Sequence, residues 1–211
     1  MRFVLFPKEI CYVNPIMIRE MVDLRPVLDV PKNDEKYAFG GANIDSQRLN
    51  GERYSGLLVP DSYLRIKKTK FRDDTHVKAL EDRFLNGKPW IETAYGTTLY
   101  EGWYKKIFEG AFKNSSFEDF ENHRLREWDN IYLDIKENGF RQSEDAYDNI
   151  EVSVASNGNL LFVDGRHRLY FAQILGVVRV PVIVNHWSVE FARKHNTLNG
   201  KKLKKAIESI Q

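Results

Sequence analysis

The stretch from Leu160 to Val184, LLFVDGRHRLYFAQILGVVRVPVIV, constrains this chain more than any other. An apolar, β-favouring run ends at Asp164, apolar residues then recur at helical spacing as far as Gly176, and a second β-rich run follows. Gly176 is placed to cap the helix, and Pro181 stands near the start of the second strand, where a missing amide is tolerated. The fold must therefore carry strand, helix and strand in that order. It must also place five polar or tiny residues, Asp164 to Arg168, where the first strand hands over to the helix. A plain turn would need only a glycine and one capping residue.

The chemistry of such an elbow follows from the backbone. A helix N-terminus presents unpaired amides and a partial positive charge, so an anion placed there is stabilised without any side chain. Gly165 lets the backbone come close, and Arg166, His167 and Arg168 add charge-assisted donors at the same point. The pattern predicts a phosphate seat. Asp164 fits two descriptions: the N-cap of the helix, or a carboxylate reaching a metal ion or a substrate hydroxyl beside the phosphates. The plain alternative, an ordinary Asp-Gly turn with surface His and Arg, leaves the adjacent cationic side chains between apolar strands unexplained.

Upstream, Ile150, Val152 and Val154 alternate with polar partners, and Asn157-Gly158 predicts a two-residue hairpin turn into the strand at Leu160. A long helix is expected over 115–139, opened by a capping box at Ser115 and Glu118 and closed by Gly139. A shorter one is expected in DDTHVKALEDRFLNG from Asp73, with Asp or Thr as N-cap, Val77, Leu80, Phe84 and Leu85 apolar and Asn86-Gly87 as the stop. The segment YLRIKKTKF, 63–71, has the alternation of an edge strand with a cationic outer face. Residues 1–60 show little pattern, and the glycines of FGGANIDSQRLNGERYSG mark loop. The C-terminal run from Ser188 is helical and basic, and its lysines, Lys201, Lys202, Lys204 and Lys205, fit a solvated face better than a nucleic-acid patch.

Composition narrows the function. With 32 basic against 30 acidic residues the formal net charge is +2, so wholesale electrostatic binding of nucleic acid gains no support. A single cysteine, Cys11, excludes an internal disulfide framework and a cysteine metal cluster, and its neighbours Ile10, Tyr12 and Val13 predict a buried thiol. His76, His123 and His195 stand apart without ligand spacing, so no metal ligands are assigned, and no GxxxxGK[ST] loop is present. The opening apolar patch is cut by Pro7, Lys8 and Glu9, and no run reaches the ~18 apolar residues of a membrane helix, so a cytoplasmic chain without a membrane span is expected.

The order of hairpin, DGRHR turn, helix LYFAQILG and strand VPVIV resembles the ParB/sulfiredoxin-like superfamily over about 130–187. The turn is most similar to the D-G-H-H-R turn of free-serine kinases. A longer pattern from FLNGKPWIETAYGTTLY through IYLDIKENGFRQSED resembles poorly characterised ParB-like proteins of microbial and viral genomes. The resemblance implies an α+β (mixed α/β) fold with a small mixed sheet flanked by helices. It implies a nucleotide-binding domain over 81–211 with 1–80 as an N-terminal extension packing on that core. It also implies that Gly165, Arg166, His167 and Arg168 hold nucleotide phosphates, with Arg141, Gln142 and Ser143 bordering the pocket.

On this resemblance Arg166 stands where the sulfiredoxin nucleophilic cysteine would lie, which argues against sulfinic-acid reduction, and the partition-type G-E-R-R is missing too. The expected activity is phosphoryl transfer from ATP or ADP, with Mg²⁺, to a hydroxyl of a small molecule or glycan. Such a reaction needs a carboxylate near the acceptor, and the candidates are Asp164, Glu92 between Trp90 and Tyr95, and Glu144 or Asp145. His186, after the VPVIV strand, can reach a pocket mouth, but a lone histidine there is more often a packing residue. The rival expectations are a ParB-like nuclease or DNA-binding accessory protein, and a nucleotide sensor without catalysis. Nucleic acid is the less favoured partner.

Overall fold

The computed structural model describes residues 10–23, 48–49, 52–53, 56–104, 116–141 and 149–210. The chain forms two compact units, one of Met1–Phe71 with Arg141–Gln211 and one of Arg72–Phe140. The boundary expected near residue 80 is therefore corrected. The early residues are not an appendage on a finished core, because four of their strands are members of its sheet.

The strands are β1 (Ile10–Val13), β2 (Glu20–Asp23), β3 (Arg48–Leu49), β4 (Glu52–Arg53), β5 (Leu57–Val59), β6 (Arg65–Ile66), β7 (Ile150–Val154), β8 (Leu160–Asp164) and β9 (Val180–Ser188). Seven of them make one mixed sheet in the order β1-β9-β7-β8-β2-β6, with β5 also on β9, while β3 and β4 pair with each other. β9 is long enough to carry two partners along one edge: β1 antiparallel over Val180 to Ile183, and β5 parallel over His186 to Ser188. Its other edge takes β7 in parallel from Val182 onward, so Pro181 precedes that ladder and its missing amide costs no bond there. β6 ends the sheet, the edge position expected of 63–71, but only Arg65 and Ile66 of that stretch are strand and both are exposed, so the expected alternation has no buried face. Cys11 is buried in β1. The fold is α+β.

The hairpin differs in detail from its expected two-residue turn. Ala155 donates to the Asn159 carbonyl and Gly158 to the Ala155 carbonyl, so three residues close it, with Gly158 at φ +87 in the left-handed conformation that such a loop requires. The helix after β8, α3 (Arg166–Ile174), ends as its sequence predicts: Gly176 at φ +67 lets Val177 donate to the Ala172 carbonyl. The C-terminal run is two helices, α4 (Val189–Lys194), capped by Ser188, and α5 (Gly200–Ile210), separated by Asn196 at φ +46. Leu203 and Ile207 bury one stripe of α5, about 1.5–3 kcal/mol each, and Lys201, Lys202 and Lys205 lie on its exposed face.

The second unit is helical. α1 (Thr75–Phe84) is capped by Asp74, whose carboxylate accepts from the His76 amide. A 3-10 turn (Trp90–Glu92) leads to a π-helix (Tyr95–Tyr104), and a later one-turn helix (Phe117–Phe120) and π turn (Glu121–Leu125) run into α2 (Arg126–Asn138). The capping box is present one residue later than expected. Ser116 accepts from the Asp119 amide and Asp119 from the Ser116 amide, because Ser116 is the residue in extended conformation. Trp90, Tyr95, Trp128 and Phe120 are buried in an aromatic core. Among the described residues no helix is long and apolar enough to cross a membrane.

Candidate functional site

The elbow is where β8 becomes α3. Gly165 adopts φ 82, ψ 35, and a Cβ there would lie 2.5 Å from the Asn149 carbonyl oxygen and 2.7 Å from the Ile150 Cα. Only glycine fits, because the turn is pressed backbone to backbone against the start of β7. Gly165 itself is the N-cap, which removes the N-cap description of Asp164. Asp164 instead ends β8, half-buried, and its carboxylate accepts from the Gly165 amide at 2.8 Å. The first amides of α3 therefore emerge beside a carboxylate and beside the first turn's Arg166 and His167, both half-buried.

Arg168 behaves differently from its neighbours. At 9% exposure it turns inward, and its Nη2 donates to the Arg141 carbonyl. This bond brings two of the expected residues together at the elbow, Arg141 through its backbone. Gln142, Ser143, Glu144 and Asp145 lie outside the described residues. Glu92 belongs to the helical unit and is exposed. Its aromatic neighbours do not enclose it: Trp90 and Tyr95 turn inward onto each other, ring centroids 5.6 Å apart, and the Trp90 Nε1 donates to Asp129.

A polar layer that the alternation of β7 did not reveal lies next to the elbow. Glu151 pairs with Asp164 but Val152 with Phe162, so Val163 is an extra residue in β8. Val152 pairs with Val184 but Ser153 with His186, so Asn185 is an extra residue in β9. Bulges re-aim side chains, and these two converge on one short segment of β7. Asn185 Nδ2 donates to Glu151 Oε2 at 2.6 Å, and Ser153 Oγ lies 2.9 Å from His186 Nδ1. All four side chains are buried, and burial pushes the His186 imidazole down to about 4, so it is neutral at pH 7. The available signal was the Asn-His pair interrupting an aliphatic strand, together with Glu and Ser inside the β7 run.

No protein-family model matches the chain, and no curated protein or solved structure matches it either. The site is therefore defined by its own geometry: a glycine-dependent strand-to-helix elbow with two half-buried cationic-type side chains, one carboxylate and a buried polar layer behind it.

Proposed function

We propose that the elbow seats the phosphates of ATP or ADP and that the protein transfers a phosphoryl group to a hydroxyl of a small molecule or glycan. One observation carries this reading: Gly165 is packed so tightly on β7 that the start of α3 is fixed, with Arg166 and His167 half-buried in its first turn. A preorganised set of donors of this kind suits a phosphate, whose negative oxygens are otherwise costly to desolvate. Arg168 supports the seat from below by tying the Arg141 backbone to α3.

Among the described residues no group of three or more His, Cys, Asp or Glu side chains can hold a metal by itself. The site suits Mg²⁺ in the way that ion usually arrives, bound to nucleotide phosphates and one or two carboxylates, and Asp164 is the side chain placed to contribute. When bound, the ion would neutralise charge on the transferring phosphoryl group.

The test is calorimetry of the full chain with ATP and ADP, with and without Mg²⁺. Loss of a charge-assisted hydrogen bond, about 1.5–3 kcal/mol, should weaken binding about 10- to 100-fold in Arg166→Ala and His167→Ala. Affinity unchanged in both would refute the phosphate seat.

A further inference from the structure

We infer that Asn86 is a self-modification site: attack by the Gly87 backbone nitrogen converts its side-chain amide to a carboxylate, and the conversion loosens the turn that follows α1.

Asn-Gly pairs carry this chemistry because glycine, without a Cβ, lets the next nitrogen turn onto the asparagine Cγ. The sequence has such pairs at Asn50, Asn86, Asn138, Asn157 and Asn199, and all but the first lie among the described residues. What separates them is the state of the attacking nitrogen. It must be reachable by water, which takes its proton, and it must be free to turn. Gly158 meets neither condition, since it is buried and its amide donates to the Ala155 carbonyl at 2.9 Å. Gly200 is buried as the first residue of α5. Asn199 is held there by the Lys202 amide on its Oδ1 and by the Lys202 and Leu203 amides on its carbonyl.

Asn86 and Asn138 make a closer comparison. Each is exposed at the end of a helix and followed by an exposed glycine, and a Cβ on either glycine would meet nothing within 4 Å. Each side chain donates to an aspartate one turn back, Asn86 to Asp82 at 3.1 Å and Asn138 to Asp134 at 2.8 Å. They differ at the attacking nitrogen. The Gly139 amide donates to the Ile135 carbonyl at 3.0 Å, whereas the Gly87 amide has no acceptor among the described residues. The bonds that end α1 come instead from the Asn86 and Lys88 amides, on the Glu81 and Asp82 carbonyls. Having to break its bond first should slow the attack at Asn138 by about 2- to 10-fold relative to Asn86.

In the step, the Gly87 nitrogen gives its proton to water and bonds to the Asn86 Cγ. The bond from Cγ to Nδ2 then breaks, and the nitrogen takes a proton from solvent and leaves as ammonia. Water opens the cyclic imide at either carbonyl. One opening gives aspartate at 86; the other gives isoaspartate, whose main chain runs through the former side chain and is one carbon longer. Either product sets a carboxylate where the amide donated to Asp82, whose own carboxyl is held below the usual carboxylate range by Lys88 and Asn86. The longer product also shifts Lys88, whose amide closes α1 and whose carbonyl accepts from Arg83 Nη1 at 3.4 Å.

The experiment incubates the full chain in mildly alkaline buffer and follows the asparagines by peptide mass mapping, both folded and in urea. In the folded chain Asn86 should convert ahead of Asn138 by about 2- to 10-fold and ahead of Asn157 and Asn199 by more. In urea that lead should vanish, because all these glycine amides are then free. Chain converted at Asn86, separated by ion exchange, should unfold at a lower urea midpoint than unconverted chain. Conversion of Asn138 as fast as Asn86 in the folded chain, a lead of Asn86 that persists in urea, or no conversion at Asn86 overturns the assignment. Equal midpoints overturn the loosening of the turn.

Discussion

Gly165 stands against Ile150 with no room for a side chain: a Cβ would come 2.7 Å from the Ile150 Cα. The residue also has φ +82, where an L side chain is strained by about 1–2 kcal/mol. Displacing the backbone of β7 adds a cost like that of overpacking a core, about 1–3 kcal/mol. Gly165→Ala should therefore lose about 2–5 kcal/mol, seen in urea titrations as a lowered midpoint at unchanged slope. Native-like stability would mean that the elbow is looser than its geometry shows.

Arg166 and Arg168 should separate cleanly. Arg168 is buried and its guanidinium satisfies the Arg141 carbonyl, so Arg168→Ala should cost about 1–3 kcal/mol of stability. Arg166→Ala, at a half-buried first-turn position, should cost less stability than Arg168→Ala while weakening nucleotide binding. Thermal melting of the two variants distinguishes them, and equal losses would contradict the assigned roles.

His186 makes stability depend on pH in a defined window. Its folded-state value of about 4 lies below the ordinary 6.5, so between these values the unfolded chain binds the extra proton. The contribution is therefore complete above about pH 6.5, falls as the pH drops, and is spent near pH 4, for a total of at most about 3 kcal/mol. His186→Gln removes the titration and keeps a hydrogen-bonding group beside Ser153. Subtracting its stability curve from the native one should leave a slope only within that window, and parallel curves from pH 4 to 7 would contradict the burial of a neutral imidazole.

In the helical unit Asp129 joins three elements. It accepts from Arg83 Nε and Nη2, both at 3.1 Å, and from Trp90 Nε1 at 3.0 Å. Asp129→Ala would strand the buried Trp90 N–H and remove the partner of Arg83, an expected loss of about 2–4 kcal/mol. Asp129→Asn, which can still accept from one donor, should lose less. Tryptophan fluorescence against denaturant follows both, and an Ala variant as stable as the Asn variant would argue against this network.

Local chemistry was legible along the chain because its signals span only a few residues. The helical spacing after Arg166 and the Gly176 stop predict α3 and its end. Asp74 and Asn86-Gly87 similarly bracket α1. The capping box moved from Ser115 to Ser116 because two adjacent serines offer the same chemistry, and only the backbone angles choose between them. The residues of the elbow were also nameable in advance, since five consecutive residues, Asp164 to Arg168, make it up.

What the tertiary structure decided was everything that depends on neighbours distant in sequence. Glu151 and Ser153, the polar partners in the alternation of β7, are both buried, so neither face of this central strand is solvated. No local pattern announces that Ile10 pairs with Ile183 or Leu57 with His186, which is why residues 1–80 read as an extension while β1, β2, β5 and β6 are members of the main sheet. The bulges at Val163 and Asn185 exist only as mismatches between strands, and beside them Asn185 meets Glu151, whose register partner in β8 is Asp164. A single strand specifies which residues alternate; its partners specify which of those residues meet, since register is a property of pairs.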